Sequence, residues 1–121
     1  MAAAASSDRI HYALTAVGAN GRLGDRGLVR WLGWSAHERL DIREDHALIS
    51  VSADPRGIFQ VSAQGFVLLP AVVRRWCRIR AGDRVLVVAD LDANWLVIHP
   101  PAALESMISA SHLAVWGGER Q

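Results

Sequence analysis

The chain alternates between short apolar runs and clusters of turn-forming residues, and the period of the alternation changes along its length. From about Ile10 to Val17 the residues suit a strand, and Gly18-Ala19-Asn20-Gly21 reads as a turn. Gly27 to Leu32 is long enough for one or two helical turns. Asp25 is placed to cap them, because a carboxylate there accepts from the unpaired N–H groups of a first turn. Leu40-Asp41-Ile42 and Ala47 to Val51 alternate around Glu44-Asp45-His46, which predicts a hairpin. Asp54-Pro55-Arg56-Gly57 is a strong turn signal, since proline presets its own φ and glycine accepts a positive one. Ile58 to Val61 reads as a short strand, Gln64-Gly65 interrupts it, and Phe66 to Leu69 resumes. Pro70 suits the first position of a short helix, where its missing N–H costs nothing, and Ala71 to Cys77 continues that helix. Arg80-Ala81-Gly82-Asp83 turns the chain into the valine-rich run Arg84 to Ala89. After Asp90–Asn94, Trp95 to Ile98 pairs back as a second hairpin. From Ala102 to about Val115, Leu104, Met107, Ile108 and Leu113 fall near helical spacing, which predicts a terminal amphipathic helix.

The order turn, short helix, turn, strand, acidic turn, strand occurs twice. A shift of 45 positions lays Arg30-Trp31 on Arg75-Trp76, Leu32 on Cys77, Trp34 on Ile79 and Glu38-Arg39 on Asp83-Arg84. It also lays Leu40 and Ile42 on Val85 and Val87. With two residues inserted in the second acidic turn, Leu48–Val51 falls on Trp95–Ile98. Two copies are too few for a solenoid, in which each unit needs neighbours on both sides. They suit a pseudo-twofold pair in which each half covers the apolar face of the other, as in a homodimer fused into one chain. The expected organisation is a flexible tail over residues 1–9, a first repeat over 10–54, a second over 55–101, and a C-terminal helix and tail over 102–121.

Composition narrows the class. Half of the 121 residues are apolar and about a fifth are charged, as in a folded globular protein. The Ala- and Ser-rich opening, Met1–Ser7, lacks the charged start and longer apolar stretch of a signal peptide. No segment approaches the roughly 20 apolar residues of a membrane helix. Cys77 is the sole cysteine, which leaves no internal disulfide, no cysteine-based zinc site and the cytoplasm as the expected compartment. All 13 basic residues are arginine, each a planar fork able to hold phosphate or guanine with two bonds. Their distribution is uneven. Arg74, Arg75, Arg78, Arg80 and Arg84 face only Asp83 over Arg74–Arg84, a local +4, whereas Glu38–Asp54 carries a local −3. A basic stretch of that size suits a polyanion.

The second repeat carries a recognisable motif. Gly65-Phe66-Val67-Leu68-Leu69-Pro70-Ala71-Val72-Val73-Arg74-Arg75 leads through Ile79 to Gly82-Asp83-Arg84-Val85. This resembles the swapped-hairpin DNA-binding domain of AbrB, MazE and SpoVT proteins. The pattern of that family is a glycine-arginine pair, an apolar run ending in Leu-Pro or Ile-Pro, an arginine four positions after the proline, and a Gly-Asp turn into a strand. Leu69-Pro70, Arg74, Ile79 and Gly82-Asp83 stand at those offsets. The likeness covers Ile58–Pro100 well and Tyr12–Ala53 more weakly. The resemblance implies a mainly β, barrel-like fold of interleaved hairpins whose arginines dock on duplex DNA. It assigns the DNA-binding role to Arg74 and Arg75 in the second repeat, to Arg30 in the first, and to Arg22 of the pair Gly21-Arg22. Phe66 replaces that loop arginine in the second repeat. In the first, Asp25 and Arg26 stand near the place of the proline.

Other chemistry is thinly represented. Trp31, Trp76 and Trp95 are able to stack on unpaired bases, yet their repeat positions favour core packing. Cys77 occupies a core-type position. The five histidines lie at no metal-ligand spacing, so no metal or other cofactor is expected. No nucleophile elbow, phosphate loop or paired-carboxylate signature indicates an enzyme. The expected partners are duplex DNA and further copies of the chain. A second possibility, taken from MazE-like relatives, is an antitoxin that engages a protein through Ala102–Gln121.

Overall fold

The structure, a computed structural model, describes residues 8–117. Residues 1–7, where the sequence predicts a flexible tail, lie outside the described residues, as do 118–121. Arg9, assigned to that tail, is tied down: its guanidinium holds Asp92 at 2.6 Å and its carbonyl accepts from the Leu91 N–H.

Two segments of strand, short helix and hairpin follow one another. They are β1 (Ile10–Ala16), α1 (Gly27–Trp31), β2 (Arg39–Asp45) and β3 (Leu48–Ala53), then β4 (Phe59–Gln60), α2 (Ala71–Trp76), β5 (Arg84–Asp90) and β6 (Trp95–His99). The last element among the described residues is α3 (Pro101–Trp116). The strands form one antiparallel sheet in the order β1-β5-β6-β3-β2-β4. Each leading strand therefore leaves its own hairpin and pairs with the other one, β1 on β5 and β4 on β2, while β6 and β3 join the hairpins.

The sheet is open, not the closed barrel the resemblance implied. Its end strands, β1 and β4, do not pair with each other. The backbones of the segments that follow them join at the single bridge Arg22↔Leu68, made by Leu23 N–H to Val67 O and Leu69 N–H to Gly21 O. The expected strand over Phe66–Leu69 is absent, and that over Ile58–Val61 shrinks to the two residues of β4, between the turns closed by Gly57 N–H to Asp54 O and Gly65 N–H to Ser62 O.

Alternation along the strands places one face in the core, as period-two side-chain geometry requires. Val85, Val87 and Ala89, Leu96 and Ile98, Ile49 and Val51, and Leu40 and Ile42 all point inward. They join Val17, Leu23, Val61, Val67 and Leu69 in a single buried cluster. Both segments contribute to that one cluster. The Trp34 indole N–H, which donates to Asn94 Oδ1 at 2.9 Å, ties them again.

Two local departures have plain causes. The first hairpin turns at His46-Ala47, one position beyond the expected acidic turn, with φ of 53° and 66°. Both central residues of such a two-residue turn need positive φ, which costs a side chain about 1 kcal/mol or more. Ala47→Gly is therefore expected to raise stability by about 0.5–1 kcal/mol, read as a higher midpoint in urea; an unchanged or lower midpoint would show that the turn carries no such strain.

The second departure is the C-terminal helix, which forms but is not amphipathic against the body. Leu113 lies about two and a half turns from Leu104 and so on the opposite side. Leu104 is half-buried near the start of the helix, while Met107, Ile108, Leu113, Val115 and Trp116 are exposed and no α3 residue is buried. No helix among the described residues is long and apolar enough to cross a membrane.

Candidate nucleic-acid interface

The site is built on the loop between β1 and α1 and its counterpart between β4 and α2. Gly18 N–H donates to the Arg22 carbonyl and Gly21 N–H to the Gly18 carbonyl, which folds Gly18–Arg22 into a tight turn. Gly21 is buried there with φ +80°. It must be glycine, because a Cβ would collide with the Leu69 carbonyl oxygen and stand 2.7 Å from Arg74 Nε.

That turn delivers Arg22 to the ring of Phe66, with the guanidinium carbon 4.6 Å from the ring centroid. Arg26, just before α1, reaches the same ring at 5.1 Å and donates from NH1 to the Gln64 carbonyl at 2.8 Å. Asp25, the nearest acid in the chain, is engaged elsewhere: its Oδ1 accepts from Gly27 N–H at 2.6 Å and caps α1. An exposed cation on a ring is worth only about 0.5–1 kcal/mol. Two guanidiniums on one ring, with no ion pair to a carboxylate among the described residues, make a field that an anion relieves.

Arg30 extends this surface. With Arg26, Trp34, Ser35, Gln64 and Gly65 it lines a depression of about 230 Å³. Gln64 also lines the neighbouring depression of about 390 Å³, which holds Arg22, Phe66, Asn20 and Ser62. Arg22, Arg26 and Arg30 thus border two neighbouring depressions that share Gln64.

The two remaining arginines assigned from the sequence do not join it. Arg74 is half-buried, and its Nε donates to the Leu69 carbonyl at 3.0 Å while the side chain packs on Gly21. That bond sets Arg74 against the segment beside the loop that carries Arg22, away from the surface bordered by Arg22, Arg26 and Arg30. Arg75 is exposed and lines a separate depression with Trp76 and Arg78.

Sequence reasoning missed Arg26, Gln64 and Phe66 as partners in one cluster. Their signal was the charge at the start of α1 and the aromatic residue standing where the family motif has arginine. Core packing also failed as the reading of Trp76, which is 75 % exposed. Cys77 is buried and its thiol is pushed up from the ordinary range, first by burial and then by the charge of Glu44. A thiol so held is a poor nucleophile.

Comparison with known proteins finds no family model, no curated relative and no solved structure that matches the chain.

Proposed function

We propose that the chain is a DNA-binding transcriptional regulator of the AbrB/MazE/SpoVT type, a fused pair of diverged units that docks duplex DNA through Arg22, Arg26 and Arg30. The observation that carries this is the convergence of Arg22 and Arg26 on Phe66, with Arg30 beside them and none of the three paired with a carboxylate among the described residues. Phosphate contacts from such forks set register, and one or two forks read guanine edges.

The backbone supports the fused-pair reading. Exchanging β1 with β4, β2 with β5 and β3 with β6 returns the same strand order, reversed. Bonds recur as well. Gly18 N–H to Arg22 O and Gly21 N–H to Gly18 O reappear as Ser62 N–H to Phe66 O and Gly65 N–H to Ser62 O. Val17 N–H to Asp83 O and Gly82 N–H to Val17 O reappear, with the halves exchanged, as Val61 N–H to Glu38 O and His37 N–H to Val61 O.

Duplex affinity should fall about 40- to 150-fold between roughly 50 and 200 mM salt, since three to four neutralised phosphates release that many counterions. Fluorescence anisotropy of a labelled duplex measures this, and a flat salt dependence would sink the proposal.

A second reading has one observation in its favour, the exposure of Met107, Ile108, Leu113, Val115 and Trp116 on α3. An antitoxin-like chain, or one that pairs with a second copy, would cover such side chains. Light scattering of the free protein and co-expression with the product of a neighbouring gene test it. A monomer that retains no partner counts against it.

A further inference from the structure

Trp76 closes α2 with three-quarters of its surface in solvent, although its counterpart in the first segment, Trp31, is half-buried. The difference has a structural cause. β1 runs for seven residues, and its His11 stacks on Trp31 with ring centroids 3.9 Å apart and planes 15° from parallel. β4 runs for two residues. The recurring loop bonds set Val61 against Val17, which places Pro55 at the position of His11; Pro55 belongs to the turn closed by Gly57 N–H to Asp54 O, so no strand passes over Trp76.

The indole is flanked by cations. Arg75, Trp76 and Arg78 alone line a shallow depression of about 350 Å³. Arg78 holds a left-handed conformation, φ 56°, that turns the chain at the helix end, and its N–H donates to the Arg75 carbonyl. Neither arginine forms an ion pair with a carboxylate among the described residues. The one acid of this stretch, Asp83, accepts from the Arg80 N–H at 2.8 Å. A second copy fits this surface poorly, because it would set another Arg75-Arg78 pair against the first. A peptide side chain finds no apolar floor, since two of the three lining residues are charged. An aromatic plane between guanidiniums matches alternating base and phosphate.

We propose that Trp76, with Arg75 and Arg78, is a stacking site for an unpaired base of a single-stranded nucleic acid. The site shares no lining residue with the Arg22–Arg26–Phe66 surface and stands independently of duplex docking there. A labelled 12-nucleotide oligothymidylate and a blunt duplex, each titrated with the full chain, test it by anisotropy. Trp76→Ala should weaken oligothymidylate binding about tenfold, Trp76→Phe should keep most of it, and Arg75→Ala with Arg78→Ala should remove it. Duplex affinity should be unchanged by Trp76→Ala. Because Trp76 packs on solvent, circular dichroism should show these variants folded. The proposal is overturned if the wild-type chain does not bind oligothymidylate, or if Trp76→Ala binds it as the wild type does. It is overturned also if a polyglutamate peptide binds and Trp76→Ala abolishes that binding instead. Unchanged duplex binding in the Arg22 and Arg26 variants would overturn only the function proposed above.

Discussion

An Arg22→Ala, Arg26→Ala double variant is expected to bind duplex DNA about 30- to 1,000-fold more weakly than the wild-type chain. Each guanidinium contributes about 1–2 kcal/mol when it holds a phosphate or a base edge. The two share one ring, so their effects should not add cleanly. The salt dependence is the sharper measurement, because deleting one phosphate-binding cation takes about one from the slope of log affinity against log salt. For the double variant the slope should be shallower by about two. Both side chains are exposed, and neither forms a buried bond whose loss would unfold the protein. If affinity and slope are unchanged while Arg75→Ala abolishes binding, the duplex surface lies on α2, not on this cluster.

Gly21→Ala is expected to lower stability by about 3 kcal/mol or more, a fall in Tm of about 10 °C or more. Two costs combine. The left-handed conformation, φ +80°, charges a Cβ about 1–2 kcal/mol, and the same Cβ collides with the Leu69 carbonyl and with Arg74. Relief would displace Arg74 from Leu69 O and break the Leu69 N–H to Gly21 O bond that joins the two crossing segments. Gly65 is the internal control. It occupies the matching turn at φ +91°, yet a Cβ there would meet nothing closer than Arg26 Cδ at 3.9 Å. Gly65→Ala should therefore cost only the conformational part, about 1 kcal/mol. Equal losses at the two glycines would show that conformation alone, and not the packing around Gly21, sets the requirement.

Most of the elements were legible because their signals are local. The strands β1, β5 and β6, both hairpins, α1 and α2 follow from alternation, from Asp25 and from turn residues, although Pro70 stands one place before the expected first helical position, extended at the N-cap of α2. What was hidden depends on pairing across the chain. The Ile58–Val61 run has strand composition, but turns close on both sides of it, at Asp54–Gly57 and Ser62–Gly65, and only Phe59 and Gln60 pair with β2. The residues of α3 have helical spacing, yet spacing does not show whether a body lies beneath the helix. Arg74 and Arg75 look alike in sequence. They are separated only by about 100° of helix, which turns one onto the Leu69 carbonyl and the other to solvent. The repeat position of Trp76 favours the core, although only Trp31 has a strand to cover it. Arg26 was passed over because, without Phe66 and Gln64 opposite, it is one more surface arginine.

The unequal lengths of β1 and β4 have a consequence for how the protein meets a target. A homodimer presents each side chain twice about a dyad, and the operators it reads are correspondingly palindromic. This chain offers Arg22 on one loop and Phe66 at the matching place on the other, and a covered Trp31 against an open Trp76. On the function proposed above, its operator need carry no dyad. Such a protein would lie on the duplex in a single orientation, with a defined upstream and downstream end, and could therefore respond to the direction of a promoter in a way that a symmetric dimer cannot.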